Sequence, residues 1–198
     1  MKRPLLLDLF CGAGGCAVGY HRAGFDVVGV DIERMPAYPF EFHQADALTY
    51  PLDGFDAYHA SPPCQSYSKA LRHMATPQPM LIDAVRELML ELGKPWIIEN
   101  VEEAAWAMRS PVVLCGSMFG LGAQGCRLQR HRLFECNFPL PPRACEHDDR
   151  PVIGVYGGHA RRRAASAGGR GTQDVWVGGH AAAAKEALGI DWMTLAEL

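Results

Sequence analysis

Residues 5–31 read LLLDLFCGAGGCAVGYHRAGFDVVGVD, and this stretch decides the fold. An apolar run over residues 4–10 predicts a short buried strand, the glycines that follow predict a loop, and residues 16–23 have helical character. Residues 27–31 then predict a second buried strand, which ends in a carboxylate. Strand, glycine loop, helix and strand in this order are the opening units of a nucleotide-binding βαβ fold.

The glycine loop is the first candidate binding site. Glycines let a ligand approach the backbone closely, and the N-terminus of the following helix favours an anionic group. Asp31 lies 19 residues after Gly12, where nucleotide-binding folds hold a ribose. Ala17 stands where the GxGxxG pattern usually has glycine, so the loop alone is weak evidence. Asp46, after a third predicted strand in residues 42–47, either contacts an adenine amine or caps a turn.

Cys64 is the candidate nucleophile. It follows Pro62 and Pro63 directly, where the apolar run of residues 55–60 gives way to a polar loop. Proline fixes φ and holds the preceding residue extended, so the thiol is presented from a rigid base at the carboxyl end of a strand. Ligands bind at that end of parallel α/β sheets.

Glu99 ends the next predicted strand. Apolar residues at helical spacing in residues 77–93 predict a crossover helix, which leads to a buried strand over residues 95–101. A right-handed parallel crossover places both strand ends at one edge of the sheet, so Cys64 and Glu99 are expected to face one pocket. The alternative is that Glu99 caps a helix over residues 101–109.

The rest of the chain predicts further strands and a basic region. Strands are expected at residues 112–114, 130–135 and 151–156, and a helix at residues 181–188. Residues 139–150 predict a linker, and residues 157–172, rich in Gly, Ala, Ser and Arg, predict a mobile segment. Arginines at 161, 162, 163 and 170 either contact phosphates or belong to a solubilising loop.

Composition excludes several classes of protein. The 198 residues carry a net charge of -3, so the chain as a whole is not a basic nucleic-acid binder, although its arginines are clustered. No apolar run reaches the roughly 18 residues that a membrane span needs, and Asp8 interrupts the only leader-like run, so a cytoplasmic protein is expected.

The seven cysteines include no CxxC pair. This spacing favours reduced thiols over a disulfide framework. Zinc ligands usually come in close pairs, so the sequence favours buried thiols and predicts no metal site, although several residues in one region are potential ligands: Cys115, Cys126, Cys136, Cys145 and His147.

With these motifs assembled, the chain resembles the DNA cytosine-C5 methyltransferases over residues 6–135. The shared motifs come in the family's order: DLFCGAGG at residues 8–15, Pro63-Cys64-Gln65, Glu99-Asn100-Val101 and Arg130-His131-Arg132. Their joint occurrence is more specific than any one of them. The resemblance implies a Rossmann-like α/β methyltransferase fold, with a mostly parallel sheet and helices on both faces.

The resemblance also implies the roles of individual residues. S-adenosylmethionine would be the cofactor, bound by Phe10, Gly12, Gly14, Asp31, Ile32, Asp46 and Pro63. Cys64 would add to C6 of a cytosine flipped out of DNA, Glu99 would protonate N3, Arg132 would contact O2, and Arg130 would orient Glu99. The expected host is a bacterial or phage-infected cell. The sequence does not indicate an oligomeric state.

The chain departs from the family pattern in three ways. Leu128 stands two residues before Arg130, where the family usually has glutamine. Residues 1–138 are expected to form the catalytic and cofactor-binding domain, and residues 139–198 a short C-terminal segment with a reduced or absent target-recognition domain. The expected closing Pro-Pro-x-Tyr-like stretch and helix are missing before Leu198.

Three other functions fit parts of the sequence. Ser61-Pro62-Pro63 suits the amino-group DNA methyltransferases, but Cys64 replaces the aromatic residue that stacks on the target base in those enzymes. A non-catalytic DNA- or cofactor-binding remnant, or a subunit of a larger enzyme, is a second alternative. A modified S-adenosylmethionine as the group donor is a third.

Overall fold

A computed structural model describes residues 2–67, 79–141, 143–156, 159–163 and 175–194. The chain forms two compact units: the first contains residues 1–112 and 132–141, and the second contains residues 113–131 and 142–198. Residues 113–131 thus belong to the second unit, although they lie inside the predicted catalytic domain. That predicted division, being one of function, stays a prediction.

The first unit contains one sheet. Its elements, in chain order, are β1 (Leu5–Leu9), α1 (Gly15–Arg22), β2 (Asp26–Asp31), β3 (Glu41–Gln44), β4 (Ala57–Ala60), α2 (Ile82–Leu90), β5 (Trp96–Asn100), a 3₁₀ helix (Glu102–Ala107), and later in the chain β9 (His131–Cys136). The strands are arranged in the order β3-β2-β1-β4-β5-β9. All neighbours are parallel except β5 and β9, which are antiparallel. The predicted mostly parallel α/β sheet is confirmed.

The side chains of β1 divide between the two faces of this sheet. Leu6 packs in a cluster with Ala17 of α1, whereas Leu7 and Leu9 pack in a cluster with Ile82 of α2. Successive strand residues point to opposite faces, so the two helices cover opposite sides of the sheet. Each fully buried aliphatic side chain stabilises this arrangement by about 1.5–3 kcal/mol. The predicted layering, with helices on both faces, is confirmed.

Two predicted helices differ from the observed ones. The crossover helix α2 begins only at Ile82, and Pro79 lies before it, in keeping with the missing N–H of proline. Residues 77 and 78 lie outside the described residues. The helix predicted over residues 101–109 is the shorter 3₁₀ helix Glu102–Ala107.

The second unit contains a smaller sheet. Strand β6 (Val112–Cys115) and a 3₁₀ helix (Gly116–Phe119) lead into it, and its elements are β7 (Gly122–Ala123), β8 (Cys126–Leu128), β10 (Val152–Tyr156), β11 (His159–Arg163), β12 (Val175–Trp176) and α3 (His180–Leu188). The strand order is β12-β11-β10-β8-β7. Ala183, Ala184 and Ala187 of α3 pack against Leu128 and Ile153.

The prediction of a mobile segment over residues 157–172 is wrong for residues 159–163. These residues form β11, which pairs antiparallel with β10. Main-chain pairing to a neighbouring strand overrides the weak strand preference of this stretch. Arg170 lies outside the described residues. Within the parts of the chain that the structure describes, no helix is both long and apolar enough to cross a bilayer.

A buried ion pair fixes β9 to α2. Arg86 and Glu135 are 1% and 2% exposed, and the Arg86 guanidinium donates to both carboxylate oxygens, with Nη2 at 2.9 Å from Oε2. Arg86 Nη2 also donates to the carbonyl oxygen of Ala107 at 2.7 Å. Glu135 Oε2 accepts a further bond from the backbone N–H of Arg109 at 2.7 Å. The pair therefore joins α2, β9 and the segment after β5.

A carboxyl group is buried on the α1 side of β1. Asp8 is 1% exposed, and its Oδ2 has no hydrogen-bond partner in the part of the chain that the structure describes. Burial, assisted by the charge of Asp31, raises the pKa of Asp8 to about 8. Asp8 is therefore mostly protonated in the folded protein at neutral pH.

We predict that Glu135→Ala destabilises the protein by about 3–5 kcal/mol, because the Arg86 guanidinium then stays buried without its main partner. Urea unfolding followed by circular dichroism measures the change. Asp83→Ala is the control, since Asp83 is an exposed partner of the same guanidinium and its loss should cost less than about 1 kcal/mol. Equal effects of the two variants would contradict a dominant role for the buried pair.

We predict that Asp8→Asn flattens the dependence of stability on pH. The folded pKa of Asp8 lies above the unfolded value, so its contribution to stability is full below pH about 4 and is lost as pH rises towards 8. Between pH 5 and pH 8 the free energy of unfolding should fall by a few kcal/mol less in the variant than in the wild type. Urea unfolding at both pH values tests this, with the exposed Asp53→Asn as control. Parallel curves for wild type and Asp8→Asn would show that Asp8 is ionised throughout.

Candidate active site

The candidate site lies at the carboxyl edge of the first unit's sheet. Strands β2, β1, β4 and β5 are adjacent and parallel, with Leu9 in register with Val30 and Ala60, and Ala60 with Ile98. The loops that follow these strands therefore leave the sheet at the same edge. The glycine motif and Cys64 lie on these loops, whereas Asp31 and Glu99 lie in the last residues of β2 and β5.

The glycine loop has an unusual backbone. Phe10, Gly12 and Gly14 all have positive φ, of 55°, 49° and 88°. Such a conformation is strained for a bulky residue such as Phe10, and strain of this kind is common where a loop serves a ligand. At Gly14 a Cβ atom would lie 2.8 Å from Pro39 Cδ, so only glycine fits there. Gly14 also precedes α1, whose first turn has no side-chain cap among the described residues.

Asp31 ties the glycine loop to β2. Its Oδ2 accepts a bond from the backbone N–H of Gly12 at 3.0 Å, and its Oδ1 accepts one from Glu33 at 3.0 Å. The next residue, Ile32, has 69% of its surface exposed, which is unusual for a large apolar side chain. A carboxylate and an exposed apolar surface thus adjoin the loop.

Asp46 serves a local purpose in the structure. It is exposed, and its Oδ1 accepts a bond from the backbone N–H of Leu48 at 2.9 Å, which caps the turn after β3. This is the turn-capping alternative that the sequence left open. The adenine contact of Asp46 stays a prediction.

The loop that carries Cys64 is held at both ends. Ser61 extends the pairing of β4 with β1 through its N–H, which donates to Leu9 O at 3.1 Å. The side-chain amide of Asn100, 2% exposed, donates to Pro62 O at 2.9 Å. The backbone N–H of Tyr67 donates to Cys64 O at 3.0 Å. Cys64 itself is a half-buried free thiol, and Pro63 beside it is also half-buried.

Glu99 is paired with an arginine. Arg132 Nε lies 3.0 Å from Glu99 Oε1, and both side chains are partly buried. The family resemblance implies instead that Arg132 contacts O2 of the cytosine and that Arg130 orients Glu99. Arg130 belongs to the second unit, where its Nη1 donates to Val155 O at 3.3 Å. Its relation to Glu99 stays a prediction.

Sequence reasoning missed a hydrogen-bonded histidine beneath the site. His59 is fully buried in β4, with Nδ1 hydrogen-bonded to the Tyr20 hydroxyl at 2.9 Å and Nε2 to the Ser61 hydroxyl at 2.8 Å. Burial lowers the pKa of His59 to about 4, so the ring is neutral at physiological pH. A polar residue inside the apolar run of residues 55–60 was the signal that marked it.

Cys16 was missed as well. It lies in the first turn of α1 with an exposed surface, yet enclosure by the surrounding protein raises its thiol pKa. The charges of Asp8 and Glu99 act in the same direction, and a hydrogen bond with Ser61 opposes them. Cys16 is therefore a neutral thiol at the edge that carries the candidate catalytic residues. Its position after the glycine loop was the available signal.

The arrangement combines a nucleophile with an acid. A thiol stands on a loop stiffened by two prolines, and the adjacent parallel strand carries a carboxyl group paired with a guanidinium. Nucleophilic attack by the thiol and proton transfer by the carboxyl group are the reactions that such a pair supports.

Comparison with known proteins identifies relatives of this chain. Type II methyltransferase M.AquIA of Picosynechococcus sp. is 30% identical over 121 residues, which cover 49% of this chain and 48% of that protein. Type II methyltransferase M.XorII of Xanthomonas oryzae pv. oryzae is 49% identical over 45 residues, or 21% of this chain and 11% of that protein. The chain thus spans about half of M.AquIA and a smaller part of M.XorII.

Among solved structures, the Dnmt2 methyltransferase of S. pombe matches with a TM-score of 0.48 and 18% identity, over 71% of this chain and 52% of that one.

The family model of the C-5 cytosine-specific DNA methylases matches residues 5–107. This match covers more than half of the chain and includes the glycine loop, Cys64 and Glu99. The chain therefore belongs to the C-5 cytosine-specific DNA methylase family.

Proposed function

We propose that this protein transfers a methyl group from S-adenosylmethionine to C5 of a cytosine in DNA. The observation that carries the proposal is the hydrogen bond from Asn100 to Pro62, which joins the Cys64 loop to the strand that carries Glu99. This buried hydrogen bond thus links the loop of the proposed nucleophile, Cys64, to the strand of the proposed acid, Glu99. Family membership supports the same reaction.

The residues at the glycine loop fit an adenosine-containing cofactor. At Gly12 an added Cβ atom would have no neighbour within 4 Å among the described residues, so these residues leave open space on that side of the loop. Asp31 offers carboxylate oxygens for ribose hydroxyls, and the exposed Ile32 offers an apolar surface for adenine. Phe10, Gly14, Asp46 and Pro63 complete the proposed set. S-adenosylmethionine supplies an electrophilic methyl group on a sulfonium.

Cys64 solves the chemical problem of the reaction. C5 of cytosine is a poor nucleophile, and addition of the Cys64 thiolate to C6 shifts electron density towards C5. Glu99 donates a proton to N3 and relieves the charge that develops on the ring. C5 would then take the methyl group that the cofactor supplies, and the cofactor would leave as S-adenosylhomocysteine. Loss of the C5 proton to solvent would re-form the C5–C6 double bond and release the Cys64 thiolate, and N3 would return its proton to Glu99.

Arg132 is assigned the positioning role in this proposal. Its Nε bond to Glu99 Oε1 holds the carboxyl group in one orientation at the end of β5. The buried Arg86–Glu135 pair supports it, because Glu135 lies on the same strand as Arg132. Arg130 stays a candidate catalytic residue, with the role of orienting Glu99 that the family resemblance implies.

DNA is the proposed substrate, and the target cytosine must leave the duplex to reach Cys64. Flipping a base costs a few kcal/mol in lost stacking and pairing. Arginines on β11 supply positive charge that offsets part of this cost through phosphate contacts. Arg162 is exposed there and suits such a contact, whereas Arg161 is half-buried.

We predict that Cys64→Ala abolishes the formation of 5-methylcytosine. The wild type and the variant are incubated with unmethylated DNA and S-adenosylmethionine, and the digested nucleosides are identified by mass spectrometry. Cys136→Ala is the matched control, since this half-buried thiol lies on β9 and bonds to a backbone carbonyl. A methylated amino group in place of 5-methylcytosine would refute the catalytic assignment. No product from the wild type would favour a binding subunit or another donor.

We predict that Glu99→Gln lowers the single-turnover rate of methyl transfer by about 10²–10⁴-fold, because an amide side chain is not acidic enough to transfer a proton to N3. Arg132→Lys should also slow transfer, since lysine keeps the charge but cannot reproduce the Nε bond. Arg109→Lys is the control, because Arg109 is exposed and lies 3.8 Å from its carboxylate partner. Wild-type rates in Arg132→Lys would exclude the positioning role.

A further inference from the structure

Two cysteines and two histidines meet in the second unit. Cys115 ends β6, His131 begins β9, and Cys145 and His147 lie on the segment before β10. Their ligand atoms all lie within 4.8 Å of one another. Cys115 and His131 are 16 residues apart in the chain, and His131 and Cys145 are 14 apart. The fold thus brings four soft or borderline donor atoms together from distant positions.

Two sulfur–nitrogen distances in this cluster match those around a tetrahedral zinc ion. Cys115 Sγ lies 3.6 Å from His147 Nε2, and Cys145 Sγ lies 3.4 Å from His131 Nε2. Zinc binds sulfur at about 2.3 Å and imidazole nitrogen at about 2.0–2.1 Å, which at a tetrahedral angle places sulfur and nitrogen about 3.5 Å apart. Both observed distances agree with this value.

We propose that the second unit binds one Zn²⁺ ion through Cys115, His131, Cys145 and His147. Two thiolates and two imidazoles form a ligand set that zinc favours over harder cations such as Mg²⁺. Four protein ligands occupy all the positions of the tetrahedron, so the ion has a structural role and leaves no position for a substrate. The proposal revises the sequence-based expectation of no metal, and it does not depend on the proposed methyl transfer.

The surroundings of Cys115 support a thiolate ligand. Cys115 is buried, and the Ser117 hydroxyl donates to its Sγ at 3.2 Å. Donors of this kind stabilise a metal-bound thiolate and fix its orientation.

The structure separates the true ligands from the sequence candidates. Cys126 and Cys136 are not members of the cluster. Their thiols donate to the carbonyl oxygens of Gln124 at 3.8 Å and Phe138 at 3.1 Å, and Cys115 Sγ likewise lies 4.0 Å from Leu128 O, so it is the position of the sulfur atoms that separates them. His131 takes the fourth position. It was hidden in the sequence because it lies between the two arginines of a recognised motif.

A bound ion would add to the stability of the second unit. Among the residues that the structure describes, its core consists mainly of small side chains, including three alanines from α3. Small cores provide little hydrophobic stabilisation, and metal ligation compensates for this in small protein units. A bound ion would also fix the His131 ring, and with it the backbone next to Arg130 and Arg132.

The experiment measures zinc in the purified 198-residue chain by inductively coupled plasma mass spectrometry. The wild type is expected to carry about one Zn²⁺ per chain, and Cys145→Ser and His147→Ala less than about a tenth of that. Cys136→Ser, which alters a half-buried cysteine outside the cluster, is the control and should keep its zinc. Replacement by Co²⁺ should give the intense visible bands of a tetrahedral site with thiolate ligands.

Two results would overturn the proposal: a wild type that neither carries nor takes up stoichiometric zinc and shows no tetrahedral Co²⁺ bands, or equal zinc in the wild type and both ligand variants. The first would leave a cluster of hydrogen-bonded thiols and imidazoles. If the variants do not fold, the wild type is treated with EDTA and its Tm is measured. The proposal requires a lower Tm that Zn²⁺ restores and Mg²⁺ does not, and an unchanged Tm on metal removal counts against it.

Discussion

The buried hydrogen bond from the Asn100 amide to the Pro62 carbonyl is the interaction on which the candidate site depends. Proline has no N–H, so the Pro-Pro pair cannot extend the pairing of β4 through backbone donors. A side chain from the neighbouring strand supplies the contact instead. Loss of a buried bond of this kind costs about 1–3 kcal/mol. Here it would also release the loop that presents Cys64 from the strand that carries Glu99.

Three buried polar groups around this sheet illustrate different solutions to desolvation. In the Arg86–Glu135 pair, each buried side chain has several hydrogen-bond partners. His59 stays neutral and uses both ring nitrogens. Asp8 has an unpartnered oxygen and keeps its proton near neutral pH. The least satisfied group is the one that lies in the strand leading to the glycine loop, where strain and unmet polar groups are common.

The two units differ in what stabilises them. The first has a large apolar core on both faces of a parallel sheet. In the part that the structure describes, the second has a small alanine-rich core, to which the proposed zinc ion would add cross-links. The chain passes from the second unit to the first between His131 and Arg132, so a metal ligand and the partner of Glu99 are consecutive residues.

The sequence by itself determined the opening βαβ unit, the Cys64 loop, the strand that carries Glu99 and the family, because local periodicity, glycines, prolines and short motifs involve residues close together in the chain. It also determined which strands end at the same edge of the sheet, because crossover connections between parallel strands are nearly always right-handed. Only the tertiary structure decided that Arg132 pairs with Glu99, that residues 159–163 form a strand, and that His131 joins Cys115, Cys145 and His147. These contacts join residues far apart in the chain, and the spacing of residues along a sequence carries no information about which distant side chains the folded backbone brings within bonding distance.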